Sequence, residues 1–286
     1  MALKKARTFE EQLQILKDRN LEIQDMNYSK FFLSNVNYYR LSGYLVNYKL
    51  DGDSYKAGTS FNTIKELYMF DHELRALIGS CLSVIEVSFR TYLAYTIGIN
   101  YGALGYQSHH NFANREYHKN FISDVLKARV LNENKLYINH HKENYENQLP
   151  IWVLVEILNF STISKLYSNL KPSDKKFIKD NNLCSLPYKR ISGWLNSLTA
   201  LRNECAHYGR LLDIKLPKIS ISKEYKSENY DAEKLFAYLL AIKDLIASKD
   251  IWDSFLDSLN ILFSKYKSVT ISKIGFPENW FEVLSK

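Results

Sequence analysis

The sequence predicts a mostly α-helical protein, and three observations carry that prediction. Apolar residues recur at three- and four-residue steps over several long segments, the spacing that lines one side of a helix. Start and stop signals flank those segments, among them Thr8 with Glu11, Pro187 and Gly209. Hydrophobic content of 46% beside 24% charged residues belongs to a globular chain with a core, not to a disordered one. No internal repeat, low-complexity run or linker interrupts the 286 residues. The expectation is therefore one domain over 1–286, with an N-terminal helical extension and hairpin in 1–62 and a helical bundle core in 63–286.

Residues 8–21 read as the first helix, opened by a Thr8–Glu11 capping box and lined by Leu13, Leu16 and Leu21. Residues 27–44 form a second, aromatic-rich helical stretch. Within it Arg40 lies among Tyr38, Tyr39 and Tyr44, as a buried structural arginine or an RNA contact. Alternating residues around Asp51-Gly52-Asp53-Ser54 predict a short β-hairpin between 44 and 61. Thr63 and Glu66 then suggest a second capping box. Leu67, Phe70, Leu74, Leu77, Cys81 and Ile85 mark the longest helix, a central staff reaching to about Tyr95.

On that staff Glu86 and Arg90 stand at i, i+4, either paired with each other or lending charge to a site. Gly98, Gly102 and Gly105 in the following loop lack the spacing of a nucleotide-binding fingerprint. Residues 112–145 form a helical arm. His109, His110, His118, His140 and His141 come with no HExxH, paired cysteines or carboxylate cluster, so they read as surface histidines and no metal is expected. Residues 151–160 are apolar nearly all round, which predicts a helix buried in the centre. Glu156, its one charge, would then need an arginine, Arg202 or Arg90. After an extended stretch at 211–222, residues 231–247 and 250–266 are two further helices.

The helix between Pro187 and Gly209 carries the chemistry. Ile191, Trp194, Leu195, Leu198, Leu201 and Cys205 form its apolar stripe, which leaves Arg202 and His207 near its end. Five residues separate the two, about 140° around a helix, an angle that the long arginine side chain can cover. Asn203 lies four residues before His207, so its amide can hold one imidazole nitrogen. An imidazole, which titrates near neutrality, can move a proton to or from a ribose 2′-hydroxyl or a leaving 5′-oxygen, while a guanidinium holds the phosphate. On chemistry alone an ordinary surface arginine and a helix-end histidine answer the same spacing.

The formal charge of +7 points gently towards polyanions. Lys165, Lys171, Lys175, Lys176, Lys179, Lys189 and Arg190 against Asp174 and Asp180 give the segment leading into the Arg202 helix a net +5. It reads as a phosphate-tracking surface or as a solvated helix face, with Lys175, Lys176, Lys179, Lys189 and Arg190 as the RNA-binding candidates. Cys81, Cys184 and Cys205 read as free thiols of a reducing compartment. With no secretory signal and no membrane partner expected, the expected location is the cytoplasm.

Arg202-Asn203-Glu204-Cys205-Ala206-His207 is similar to the Arg-Asn-x-x-Ala-His signature of HEPN-type ribonucleases. The wider chain resembles the abortive-infection (Abi) family of bacterial phage-defence proteins. The blocks that carry this second resemblance are Tyr38-Tyr39-Arg40-Leu41-Ser42-Gly43-Tyr44, Phe70-Asp71-His72-Glu73-Leu74-Arg75 and Ile85-Glu86-Val87-Ser88-Phe89-Arg90. Leu149-Pro150-Ile151-Trp152-Val153-Leu154-Val155-Glu156 and Gly275-Phe276-Pro277-Glu278-Asn279-Trp280 follow in the family's order. The resemblance implies a HEPN-like helical bundle and a homodimer whose two Arg–His pairs meet in a composite, metal-independent endoribonuclease site. In that site Arg202 holds the phosphate, His207 is the acid/base and Asn203 orients it. No cofactor is needed, and a regulatory RNA or antitoxin holds the activity in check; Glu156, Arg90 and Glu86, from their charge and spacing, are the candidates to support the site. A non-catalytic RNA-binding protein and a protein-interaction module are the other two readings.

Overall fold

The computed structural model describes residues 5–181, 183, 184 and 186–286. Thr8 caps the first helix as its spacing with Glu11 implies. Its hydroxyl accepts the Glu11 N–H at 3.2 Å, and the Glu11 carboxylate accepts the Thr8 N–H at 2.8 Å. This helix, α1 (Phe9–Asp18), buries Leu13 and Leu16, and Leu21 follows them into the core. The next stretch is broken in two. α2 (Met26–Asn35) stops at Val36, and Asn37 caps α3 (Tyr38–Ser42) by accepting the Tyr39 N–H at 2.8 Å. The break leaves Arg40 exposed, not buried between tyrosines.

The predicted hairpin is not formed. A 3₁₀ turn (Gly43–Tyr48) takes the place of its first strand, and the Asp51-Gly52 turn closes one antiparallel bridge between Lys49 and Tyr55. Among the described residues there is no strand. Tyr44 and Leu45 are neighbours and both are buried, which a helical turn allows and a strand with one face in solvent does not.

α4 (Phe61–Tyr101) is the staff, 41 residues and about 60 Å long. Its cap is Ser60, whose hydroxyl accepts the Thr63 N–H at 3.1 Å, so the helix starts a turn before the expected Thr63 box. It also runs past Tyr95 and ends at Gly102, where φ is +82°. Among the described residues α4 alone has the length and apolar content to cross a bilayer. Here it carries buried Asp71, Arg75 and Glu86 and forms the axis of the bundle.

α5 (Arg115–Leu131) and α6 (Leu136–Asn144) form the arm. His118 is not on the surface: it lies buried against Phe112 and Phe121, with Nε2 2.8 Å from the Tyr106 carbonyl. Residues 151–160 are not one buried helix. α7 (Ile151–Leu154) passes into a 3₁₀ turn (Val155–Ile157), and Asn159 then caps α8 (Phe160–Ser168). That turn puts Glu156 in solvent, where a carboxylate needs no arginine.

α9 (Pro172–Asp180) is tied to the C-terminal end of α4, because buried Asp174 accepts hydrogen bonds from the Asn100 amide and the Tyr101 hydroxyl. α10 (Tyr188–Ala206) is followed by α11 (Leu235–Leu245), α12 (Lys249–Lys265) and α13 (Trp280–Ser285). The helix sealed on all sides is α11, where every residue from Leu235 to Ile242 is buried. The C-terminal block closes the core. Gly275 turns the chain at φ +91°, and Phe276 and Trp280 join Phe236 and Phe263 in a ring cluster.

Candidate active site

α10 and α4 run antiparallel. Arg202 meets Glu86, Cys205 lies beside Gly79, and the chain leaving α10 reaches Asp71. Burial pushes the Cys205 thiol up to about 12, so it serves as neutral filling at that contact. Two acid–arginine pairs of α4, each at i, i+4, then hold the end of α10.

The first pair is Asp71 and Arg75, both buried and directly bonded. Asp71 also accepts the Tyr44 hydroxyl at 2.6 Å and the backbone N–H groups of Leu211 and Leu212 at 2.9 and 3.0 Å. Arg75 donates to the Gly209 carbonyl at 2.9 Å. Burial pushes the Asp71 carboxyl up, against the pull of Tyr44, Arg75 and the two amide N–H groups. All four of its partners are donors, so a buried carboxylate is satisfied while it fixes the path of the chain after α10.

The second pair is Glu86 and Arg90, 2.6 Å apart. Arg90 also donates to the Val155 carbonyl and, at 2.6 Å, to that of Leu158, so it pins the turn between α7 and α8. The other Glu86 oxygen lies 3.4 Å from Nε of Arg202, whose side chain is 36% exposed. One nearly buried carboxylate thus serves two guanidinium groups. One positive charge is left in excess, and the Nη edge of Arg202 can meet an incoming anion.

His207 caps the C-terminus of α10. Its N–H donates to the Asn203 carbonyl at 2.9 Å, and its imidazole stands exposed at the negative end of the helix dipole. The next two residues close a Schellman turn, with the Gly209 N–H on the Glu204 carbonyl at 2.7 Å. Tyr208, not Gly209, takes the left-handed position, at φ +58°. A Cβ at Gly209 would displace the Glu204 carboxylate, the far end of a flexible side chain, and would crowd the Glu204 carbonyl at 3.2 Å. Arg40 reaches across from α3 to donate to the Tyr208 carbonyl, and Arg210 donates back to the Gly43 carbonyl.

The structure brings Arg202, Glu86 and Arg90 into one cluster and sets His207 at the end of the same helix. It does not join the Asn203 amide to His207: among the described residues no side-chain hydrogen bond links them, and the backbone carbonyl of Asn203 makes the contact. Glu156 stands apart from Arg202 and Arg90 as an ion partner. The basic segment is also divided. Lys175 donates to the Ser168 carbonyl at 2.7 Å over the Tyr167 ring, and burial holds its ammonium below the usual lysine range. The Arg190 guanidinium lies 5.4 Å from the Trp194 ring, while Lys176, Lys179 and Lys189 are exposed. This patch is not beside Arg202, since Lys189 lies about 20 Å back along α10.

Sequence reasoning missed the Asp71–Arg75 grip and the role of Arg40. The available signal was an acid followed four residues later by an arginine, occurring twice on the long helix α4.

Compared with protein families, the chain matches the family described as Abi-like protein over residues 31–213. No curated protein and no solved structure matches it. The matched span, more than half of the chain, includes both acid–arginine pairs, α10 and the turn bound by Asp71. The chain therefore belongs to the Abi-like protein family.

Proposed function

We propose that this Abi-like protein is a HEPN-type endoribonuclease of an abortive-infection system, cutting RNA by arginine–histidine chemistry that requires no metal. The observation that carries the reading is a partly exposed, carboxylate-held guanidinium and an exposed imidazole on the last turns of one helix. Arg202 binds the scissile phosphate through its free Nη edge and offsets charge gathering there as the bond breaks. His207 takes the proton from the 2′-hydroxyl, whose oxygen attacks the phosphorus. The 5′-oxygen leaves with a proton given by the imidazolium of a second copy's histidine, and the products are a 2′,3′-cyclic phosphate and a 5′-hydroxyl.

A second copy of the chain completes the site with its own arginine and histidine. The supporting observation is the outer face of α4 beside Glu86. Ser80, Ser83, Val87, Thr91, Tyr95 and Ile99 are all exposed there and none is charged. Such an activity, aimed at host or phage RNA, needs a trigger and a restraint, the place for an antitoxin protein or a regulatory RNA.

The test is incubation of the purified protein with total RNA in EDTA, beside His207→Ala and Arg202→Ala. Cleavage by the native chain alone, with RNA binding kept in His207→Ala, is the expected result. Equal cleavage by all three proteins, or none by any, overturns the proposal.

A further inference from the structure

A cavity of about 1020 Å³ opens between α1, α3 and the Lys49–Tyr55 bridge, away from Arg202 and His207. Lys5, Arg7, Arg19 and Lys49 line it, no carboxylate among the described residues does, and Tyr38 and Tyr39 supply aromatic surface. The cations keep partners at the rim. Arg7 lies 3.2 Å from Glu11, and Asp53 bridges Arg19 and Lys49 at 3.2 and 3.0 Å. One carboxylate between two cations leaves charge to spare for a phosphate. Tyr39 is 86% exposed, and its ring stacks on no other among the described residues. Its backbone is nevertheless rigidly placed, with its N–H on Asn37 and its carbonyl on the Ser42 hydroxyl. An exposed ring on a fixed backbone beside clustered cations is the arrangement that takes an unstacked base together with its phosphate.

The position of this cavity matters as much as its lining. Its wall is α3, and α3 is bonded to the segment just after His207: Arg40 donates to the Tyr208 carbonyl, and Gly43 accepts from Arg210. We propose that the cleft between α1 and α3 binds a nucleotide unit, phosphate on Arg19 and Lys49 and base on Tyr39, supplied by single-stranded RNA or by a free mononucleotide. The wall of the site is thus tied by hydrogen bonds to the residues that follow His207. The site differs from the predicted basic surface of α9, and its existence does not depend on cleavage at Arg202 and His207.

The test uses the full chain carrying His207→Ala, so that the probe is not consumed, and reads fluorescence anisotropy. One arm uses a labelled single-stranded RNA of roughly ten nucleotides, the other a labelled AMP. Tyr39→Ala, a surface change that leaves folding unaffected by circular dichroism, should weaken binding about fivefold or more, the size of one lost base stack. Arg19→Gln and Lys49→Gln should each weaken binding, and in the RNA arm each should lower the salt slope by about one. Lys176→Gln with Lys179→Gln on α9 should change affinity less than Tyr39→Ala does. These effects in the RNA arm identify a strand as the source, and the same losses in the AMP arm alone identify a free nucleotide; either result supports the site. Wild-type affinity of Tyr39→Ala for both probes overturns it, whatever the cleavage assay reports.

Discussion

Tyr208 is where a single residue bears the strain of the site. A bulky side chain in the left-handed region is disfavoured by contact between its Cβ and the backbone, and the next residue in the chain is a glycine that does not use its freedom there. What holds Tyr208 in place is the carbonyl contact from Arg40 and the Schellman bond behind it. Its ring is 63% exposed and contributes little packing. Tyr208→Gly should therefore stabilise the fold by about 1 kcal/mol, read as a rise in melting temperature of roughly 2–4 °C. A fall in melting temperature would show that the ring, not the backbone, sets the balance. Arg202 and His207 were legible because they share one helix and its periodicity fixes their placement. The Asp71 grip was not, because its acceptor meets backbone N–H groups of Leu211 and Leu212, about which side-chain identity says nothing.

Between elements, the account rests on α4 holding α10. Asp71 and Arg75 are buried together, so Asp71→Asn leaves a buried arginine without its counter-charge and should cost about 3–5 kcal/mol, measured by urea unfolding. A loss below about 1 kcal/mol, the size of an exposed pair, would contradict the grip. A second tie joins α4 to α12: Glu73 accepts from Lys265 and from the Tyr266 hydroxyl, each at 2.7 Å. Partial burial alone would raise the Glu73 carboxyl, but Lys265 and Tyr266 outweigh it and hold the carboxyl below its ordinary value. A lowered value means stability that is fully present above the unfolded glutamate range and is lost as pH falls from there through the lower range of the folded carboxyl. The urea midpoint should fall on acidification into that range, and Glu73→Gln should flatten this part of the profile. An identical acid profile in the two proteins would remove Glu73 from it.

Across the whole molecule, the helices were legible wherever one side packs and one faces water, because burial then leaves a 3.6-residue stripe in the sequence. Thr8 and Glu11 placed the start of α1 for the same kind of local reason. Segments decided by distant contacts were not legible. The residues before the Asp51-Gly52 turn read as the first strand of a hairpin, yet with Tyr44 and Leu45 both buried they form a 3₁₀ turn that ends at Tyr48. Glu156 reads as a buried charge, but a 3₁₀ turn carries it to the surface. The charge of Lys175 counts towards a basic patch in sequence, while in the fold it goes to the Ser168 carbonyl. What the fold adds is convergence: α3 and the Asp71–Arg75 pair hydrogen-bond the chain leaving α10, Glu86 meets Arg202 as an ion pair, and Arg90 ties that carboxylate to the turn after α7. The central claim is that the helix end so held performs 2′-hydroxyl chemistry on RNA. The direct measurement takes an RNA that the protein cuts in EDTA and replaces the scissile 2′-hydroxyl by hydrogen. The account predicts a 2′,3′-cyclic phosphate and a 5′-hydroxyl from the native RNA and no cut in the deoxy-substituted one; continued cutting at that position, or a 5′-phosphate product, would contradict it.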